Sequence, residues 1–394
     1  MFGFDPAKRL GHVQAPVRVV LWDGRDFALS DSPSATLRVK HPGAALALRR
    51  PSLLSLAEAY IEGDIDFEGD IGAAIRTAEA LSRSTGDGLF GRSGPRAALH
   101  TRRGDRQAIA HHYDVSNEFY ALWLDSRMVY SCAYFHSESD TLAQAQVQKL
   151  DHICHKLRLE PGDRFLDVGC GWGALVMHAA RAYGVNATGI TLSENQYRLA
   201  NERIRAAGLQ DQCRVLLEDY RDHHGTYDRV ASVGMFEHVG LKNLPTYFQC
   251  VRRLLREGGA FLNHGITTSD TGNRSLGLGA GEFIDRHIFP RGELPHLHLV
   301  VKEMSDADFE VHDVETLRPH YAKTLSHWSA NFEARLAEAS AASSERIART
   351  WRLYLAGCAH AFEQRWISIH QVLATKETQP GRSEMPLTRD WMYR

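Results

Sequence analysis

The chain has 394 residues, 43% hydrophobic and 24% charged, an ordinary globular balance with length for two or three domains of roughly 100–200 residues each. Lys and Arg number 46 against 48 Asp and Glu, a net charge of −2, which excludes an overall field built to hold nucleic acid. Six cysteines without regular spacing make no disulfide framework and read as reduced thiols of a cytoplasmic protein. The first residues, MFGFDPAKRL, lack the apolar stretch of a signal peptide, and no window approaches the ~18 apolar residues of a bilayer span.

In chain order, VRVVLWDGRDFAL and ATLRVKHP alternate like short strands and PSLLSLAEAYIEG reads as a helix, so a small α+β domain is expected over residues 1–90. Charge is unevenly spread along this part. Residues 1–50 are basic, and residues 51–80 hold seven acids (Glu58, Glu62, Asp64, Asp66, Glu68, Asp70, Glu79) against Arg76. Residues 81–110 turn basic again through Arg83, Arg92, Arg96, Arg102, Arg103 and Arg106. The Gly/Ser-rich run there predicts a basic linker over 91–107, either a solvated connection or a contact for an anionic surface such as phospholipid head groups. From residue 108 to 394 the pattern predicts a second domain. DRFLDVG, VNATGITLS, CRVLLEDY, YDRVASVGM and AFLNHGIT read as strands. Helices are expected at ALVMHAARAYG, ENQYRLANERIRAAG and PTYFQCVRRLLREGG, so the alternation predicts parallel β-α-β units in a doubly wound α/β sheet. The tail from His327, through Ile367–Ala374, reads as long amphipathic helices packed on that sheet.

The segment from Asp167 to Gly173 (DVGCGWG) follows the first of these strands and opens a helix, where open α/β sheets bind ligands. Gly169, Gly171 and Gly173 would let the backbone pass close to a cofactor. A dinucleotide site expects G-x-G-x-x-G and an acid at the second strand end; the glycines here run G-x-G-x-G and that strand ends Gly189-Ile190-Thr191. No Gly-Lys-Ser/Thr phosphate loop is present. The arrangement resembles motif I of the S-adenosylmethionine (SAM)-dependent methyltransferases.

HHYDVSNEFYALWLD, MVYSCAYF, LDVGCGWG, ITLSENQ, MFEHVG, HYAKTL and LAGCAHAF, in that order, resemble the cyclopropane-fatty-acyl-phospholipid synthases and their mycolic acid cyclopropane synthase relatives. Residues 53–72 are also similar to the N-terminal domain of the phospholipid enzymes, a domain that the mycolic acid enzymes lack. The resemblance implies a Rossmann-like class I SAM-dependent methyltransferase domain. It also implies methylene transfer to the cis double bond of an unsaturated phospholipid in a membrane, with bound bicarbonate as the base. The bicarbonate holders it implies are Cys132, Glu237, His264, Ile266 and Tyr321. Cofactor contacts would come from Tyr130, Ser131, Asp167, Gly169, Gly171, Gly173, Thr191, Leu192, Gln196 and Tyr220. The resemblance further implies a homodimer working as a peripheral protein on the inner face of the cell membrane.

Plainer roles stand beside these. Cys132 alone would be a small buried apolar residue, His264 a core histidine and Tyr321 a half-buried aromatic. Tyr220 is balanced between stacking on adenine and a surface-edge aromatic. Glu237 differs, because a carboxylate behind an apolar strand costs free energy unless it is paired. Cys358 matches a cysteine once considered catalytic in the family, but its apolar helical surroundings point to a structural thiol. Asp151, His152, Cys154 and His155 crowd one helix too closely for tetrahedral zinc, so no metal is expected. Competing functions are a SAM-dependent enzyme leaving a methyl or methylene branch, a lipid-binding homologue without chemistry, and a small-molecule methyltransferase.

Overall fold

A computed structural model describes residues 6–86, 88–91, 115–378 and 384–393. Most of the expected linker, 91–107, lies outside them, as does the HHYD end of the first motif. The chain divides into two units, each assembled from three stretches.

The first unit comprises Met1–Pro95, Arg274–Pro290 and Leu325–Trp366. Its sheet holds β1 (Val17–Val20), β2 (Asp26–Ala28), β3 (Ala35–Val39) and β4 (Ile65–Gly69) in the order β2-β1-β3-β4. Alternation buries Val17, Val19, Leu37, Val39, Ile65 and Phe67 in one apolar core. Two helices close it. Ser52 and Ser55 form a capping box at the start of Leu53–Ile61, and Asp70 accepts from the N–H groups of Gly72 and Ala73 at the start of Ile71–Arg83. Leu53 donates to the Leu278 carbonyl at 2.7 Å and Gly277 to that of Leu89 at 2.7 Å, so the later stretches are stitched in by backbone bonds. The helix Glu345–Glu363 packs on Ile71–Arg83. Its Arg352 reaches both oxygens of Glu333 (2.6 and 2.8 Å) and the Tyr60 hydroxyl (2.8 Å).

The second unit carries the seven-stranded sheet. Its strands are β5 (Arg164–Val168), β6 (Asn186–Thr191), β7 (Cys213–Leu217), β8 (Tyr227–Val233), β9 (Leu255–Thr268), β10 (Glu310–Thr316) and β11 (Ile367–Thr375), in the order β10-β11-β9-β8-β5-β6-β7. The five strands from β9 to β7 run parallel, while β11 lies antiparallel between β9 and β10. Chain order reverses between β5 and β8, and that switch opens a crevice at the carboxyl ends of the strands. The helix Ala174–Tyr183 stops at Gly184, whose φ of 66° gives the left-handed cap a side chain would resist.

Residues 274–290 and 325–366, within the expected second domain, group with the N-terminal part. Two expectations need correction. The tail is not wholly helical: Ile367–Thr375 is an interior strand, and the helix Glu345–Glu363 packs on Ile71–Arg83 within the first unit. The strand ending in Tyr220 is shorter than expected, stopping at Leu217, so Tyr220 stands in the following turn.

Candidate active site

Beyond β5 the chain turns through Gly169 (φ 82°), Gly171 (φ 53°) and Gly173 (φ 81°) into the helix Ala174–Tyr183. The three glycines serve different ends. A Cβ on Gly169 would lie 2.7 Å from Met235 Cγ, whereas one on Gly171 would meet nothing within 4 Å, which is the open side on which a ligand can rest against backbone. A Cβ on Gly173 would press Ala200 at 3.2 Å. The loop borders a cavity of about 140 Å³ whose walls include Tyr130, Ser131, Asp167, Gly169, Gly171, Thr191, Leu192, Gln196 and Tyr220. Nine of the ten expected cofactor contacts therefore converge. Gly173 is the exception, because it sits one step past the loop and packs helix against helix instead.

Thr191 Oγ1 donates to Gln196 Oε1 at 2.7 Å and accepts from Ser193 N–H at 3.2 Å, which fixes the β6 end where a dinucleotide site would carry its acid. Tyr220 meets Tyr247 edge-on at 5.6 Å between ring centroids, and the Arg221 guanidinium stacks on its ring. Tyr120 packs on both Tyr130 and Trp172, at 5.7 and 5.0 Å.

Sequence reasoning missed Lys149. It lies on the helix Leu142–Leu157, lines the cavity, is 2% exposed and donates to Ser131 Oγ at 2.8 Å. Gln146, one turn earlier and fully buried, donates to the Ser131 carbonyl at 3.0 Å, so this helix holds Ser131 by side chain and backbone together. Burial pushes Lys149 down to about 8 and Asp167 up to about 7, each partly opposed by the other's charge. Asp167 Oδ1 is buried and has no hydrogen-bond partner among the described residues. A Lys and a Gln on the apolar stripe of an amphipathic helix were the available signal.

The five expected anion holders fall at the far ends of β8 and β9 and in the segments beside them. The strand β9 outruns β8, whose last pair is Val233 with His264, so the N–H of Ile266 has no ladder partner there. The Glu237 carboxylate takes it instead, Oε1 accepting at 2.7 Å. Glu237 is buried, its Oε2 meets no partner among the described residues, and burial raises its pKa to about 7 against the pull of the Ile266 N–H. Gly265, between the two functional positions, is required: any Cβ there would collide with the Phe236 ring. Cys132 lies 3.9 Å from the Leu317 carbonyl, to which the Tyr321 N–H also donates at 3.0 Å. Leu317 N–H in turn donates to the Ile369 carbonyl, and Ile369 pairs with Ile266 across β11 and β9. Backbone bonds thus link Cys132 and Tyr321 to the β11 partner of Ile266, while none of the five is among the residues that line the cofactor cavity. Burial pushes the Cys132 thiol up, so it stays protonated and is no nucleophile. Cys358 does not join them; it lies on Glu345–Glu363 in the first unit, its thiol pushed up by burial to about 12. The six cysteines are all free.

The chain matches the family described as mycolic acid cyclopropane synthetase over residues 100–372, and a domain of unknown function over 10–86. A probable fatty acid methyltransferase of Pseudomonas putida is 50% identical over 98% of each chain. The cyclopropane-fatty-acyl-phospholipid synthase of Escherichia coli (strain K12) is 35% identical over 90% of this chain and 91% of its own. A solved mycolic acid cyclopropane synthase in complex with SAH and CTAB superposes with a TM-score of 0.66 at 38% identity, covering 71% of this chain and 99% of its own. The glycine loop, the crevice at the strand switch and these matches over most of the chain lead to one assignment: the chain belongs to the cyclopropane synthase family of SAM-dependent methyltransferases.

Proposed function

We propose that this protein is a cyclopropane-fatty-acyl-phospholipid synthase, which adds a methylene group from SAM across the cis double bond of an unsaturated phospholipid acyl chain, with bicarbonate accepting the proton. The observation that carries the reading is Glu237: a buried carboxyl tied to the β9 backbone beside the cofactor cavity, with one oxygen still unpartnered among the described residues. The likeness to the phospholipid enzyme runs over nine-tenths of the chain, whereas the mycolic acid synthase accounts for 71%.

When bound, SAM supplies an electrophilic methyl group on sulfur. Asp167, Gly169, Gly171, Thr191, Gln196 and Tyr220, which line the cavity, would hold and orient it together with Tyr130 and Ser131. An alkene is a weak nucleophile, and a carbocation on the acyl chain would be captured by water. Met128, Val129, Val233, Met235 and Val239 form an apolar stretch of the cavity wall that would disfavour water there. A base must then take a proton from the newly attached methyl so that the ring closes. The groups present suit a small oxyanion. The Ile266 N–H anchors Glu237 through Oε1 and leaves Oε2 without a partner among the described residues. His264 has a buried nitrogen, Nε2, with no partner among the described residues. With its pKa near 7, Glu237 is partly protonated at neutral pH, so it can share a hydrogen with an anion rather than repel it.

A second reading, in which the product keeps a methyl or methylene branch, is favoured by the 50% identical relative, a probable fatty acid methyltransferase. Incubation with SAM and monounsaturated phospholipid vesicles, followed by proton NMR of the released fatty acid, separates the two. Upfield ring-methylene signals are expected; olefinic methylene or branched methyl signals would replace the ring reading. Because such a substrate resides in a bilayer and no helix among the described residues can cross one, the protein would work at the membrane surface. Faster turnover on anionic than on neutral vesicles is the expected sign that basic side chains meet head groups.

A further inference from the structure

An imidazole helps to hold an anion only if the nitrogen presented to it carries the hydrogen. His264 is fully buried on β9. Burial, reinforced by the charges of Lys149, Lys156 and His152 and opposed by Glu315, keeps its pKa well below the ordinary value. The ring is therefore neutral at physiological pH and has a single N–H to place. Its Nδ1 lies 3.0 Å from Nε2 of Gln371, which stands directly opposite in the β9–β11 ladder and is itself fully buried. An amide nitrogen can only donate, so Nδ1 must accept, and the ring hydrogen then resides on Nε2. That nitrogen is buried and meets no hydrogen-bonding atom among the described residues. A buried N–H left unmatched is unfavourable, and an acceptor from a ligand removes that penalty. Strand alternation sets His264 and Ile266 on one face of β9, with Gly265 turned to Phe236 on the other.

We propose that Gln371 is a positioning residue that fixes His264 as its Nε2–H tautomer, so that the imidazole donates to a small oxyanion held at the Glu237–Ile266 end of β9. The role of the anion rests on the function proposed above; the tautomer does not. Gln371 Oε1 has no partner among the described residues.

The test uses the full chain labelled with 15N-histidine, the His264 signals being identified by their loss in H264N. Long-range proton–nitrogen correlation should show a pyrrole-type Nε2 and a pyridine-type Nδ1; the reverse pattern overturns the proposal. In Q371M, which keeps the side-chain volume but not the donor, the half-saturating bicarbonate concentration should rise about tenfold, the scale of one lost hydrogen bond, with KM for SAM unchanged. In Q371E the carboxylate would draw the hydrogen to Nδ1, so the correlation pattern should invert and turnover fall further. Unchanged bicarbonate dependence in Q371M would also overturn the proposal. If wild-type turnover ignores bicarbonate altogether, the anion reading fails, while the NMR result still decides the tautomer.

Discussion

Glu237 concentrates the energetics of the site. Its pKa is 4.5 in an ordinary setting and about 7 here. Between those values the folded state binds more protons than the unfolded chain, so stability falls as pH rises through this window and levels off above it. The shift corresponds to roughly 3 kcal/mol. Glu237→Gln keeps an acceptor for the Ile266 N–H and removes the ionisation. Its stability should therefore match wild type near pH 4.5 and exceed it by up to roughly 3 kcal/mol at pH 8, read from urea denaturation at the two pH values. Asp167 carries a similar shift in both proteins and cancels from the difference. The same variant should lose turnover by about two orders of magnitude or more while its affinity for S-adenosylhomocysteine, measured calorimetrically, stays near normal, because the carboxyl serves the proton transfer rather than docking. Near-native turnover would remove Glu237 from the chemistry.

The length of β9 matters at the scale of the element. Because this strand continues past β8, its Ile266 N–H becomes available to Glu237, and the Phe236 ring can pack against Gly265. Two glycine substitutions separate packing from cofactor contact. G265A forces the Phe236 ring aside and should lower the urea midpoint by the equivalent of about 1–3 kcal/mol, with the slope unchanged. G171A meets no neighbour and costs only the strain of a positive φ, about 1–2 kcal/mol. It should nevertheless weaken S-adenosylhomocysteine binding, because the new methyl stands on the open side of the loop. Normal cofactor binding in G171A would mean that the cofactor does not approach this loop.

The molecule as a whole is interleaved, and that has a consequence for truncation. The helix Glu345–Glu363 buries Trp351, Leu355 and Phe362, pairs His360 with Glu79 at 2.6 Å and bonds Arg352 to Tyr60. All of its partners on Leu53–Ile61 and Ile71–Arg83 precede residue 108. A chain shortened to residues 108–394 should accordingly aggregate rather than persist as a soluble catalytic domain, as judged by size-exclusion chromatography and near-ultraviolet circular dichroism. A monodisperse, well-packed fragment would show that the helix finds its cover elsewhere.

The sequence by itself determined the local part of this protein. Strand, glycine loop and helix alternate over residues 163–208 with endings at Gly184 and Gly208, because periodicity and glycine conformation act over a few neighbours. The cofactor loop was legible for the same reason. The strand β11 was not, since buried His370 and Gln371 interrupt its apolar residues, and a strand buried on both faces shows no clean alternation of apolar and polar positions. Nor was the division into units, which depends on contacts between stretches hundreds of residues apart. Only the tertiary structure decided that Gly173 serves packing and that Lys149 enters the cavity. It alone, too, brought Gln371 to His264, because each of these depends on a long-range pairing that neither segment encodes alone.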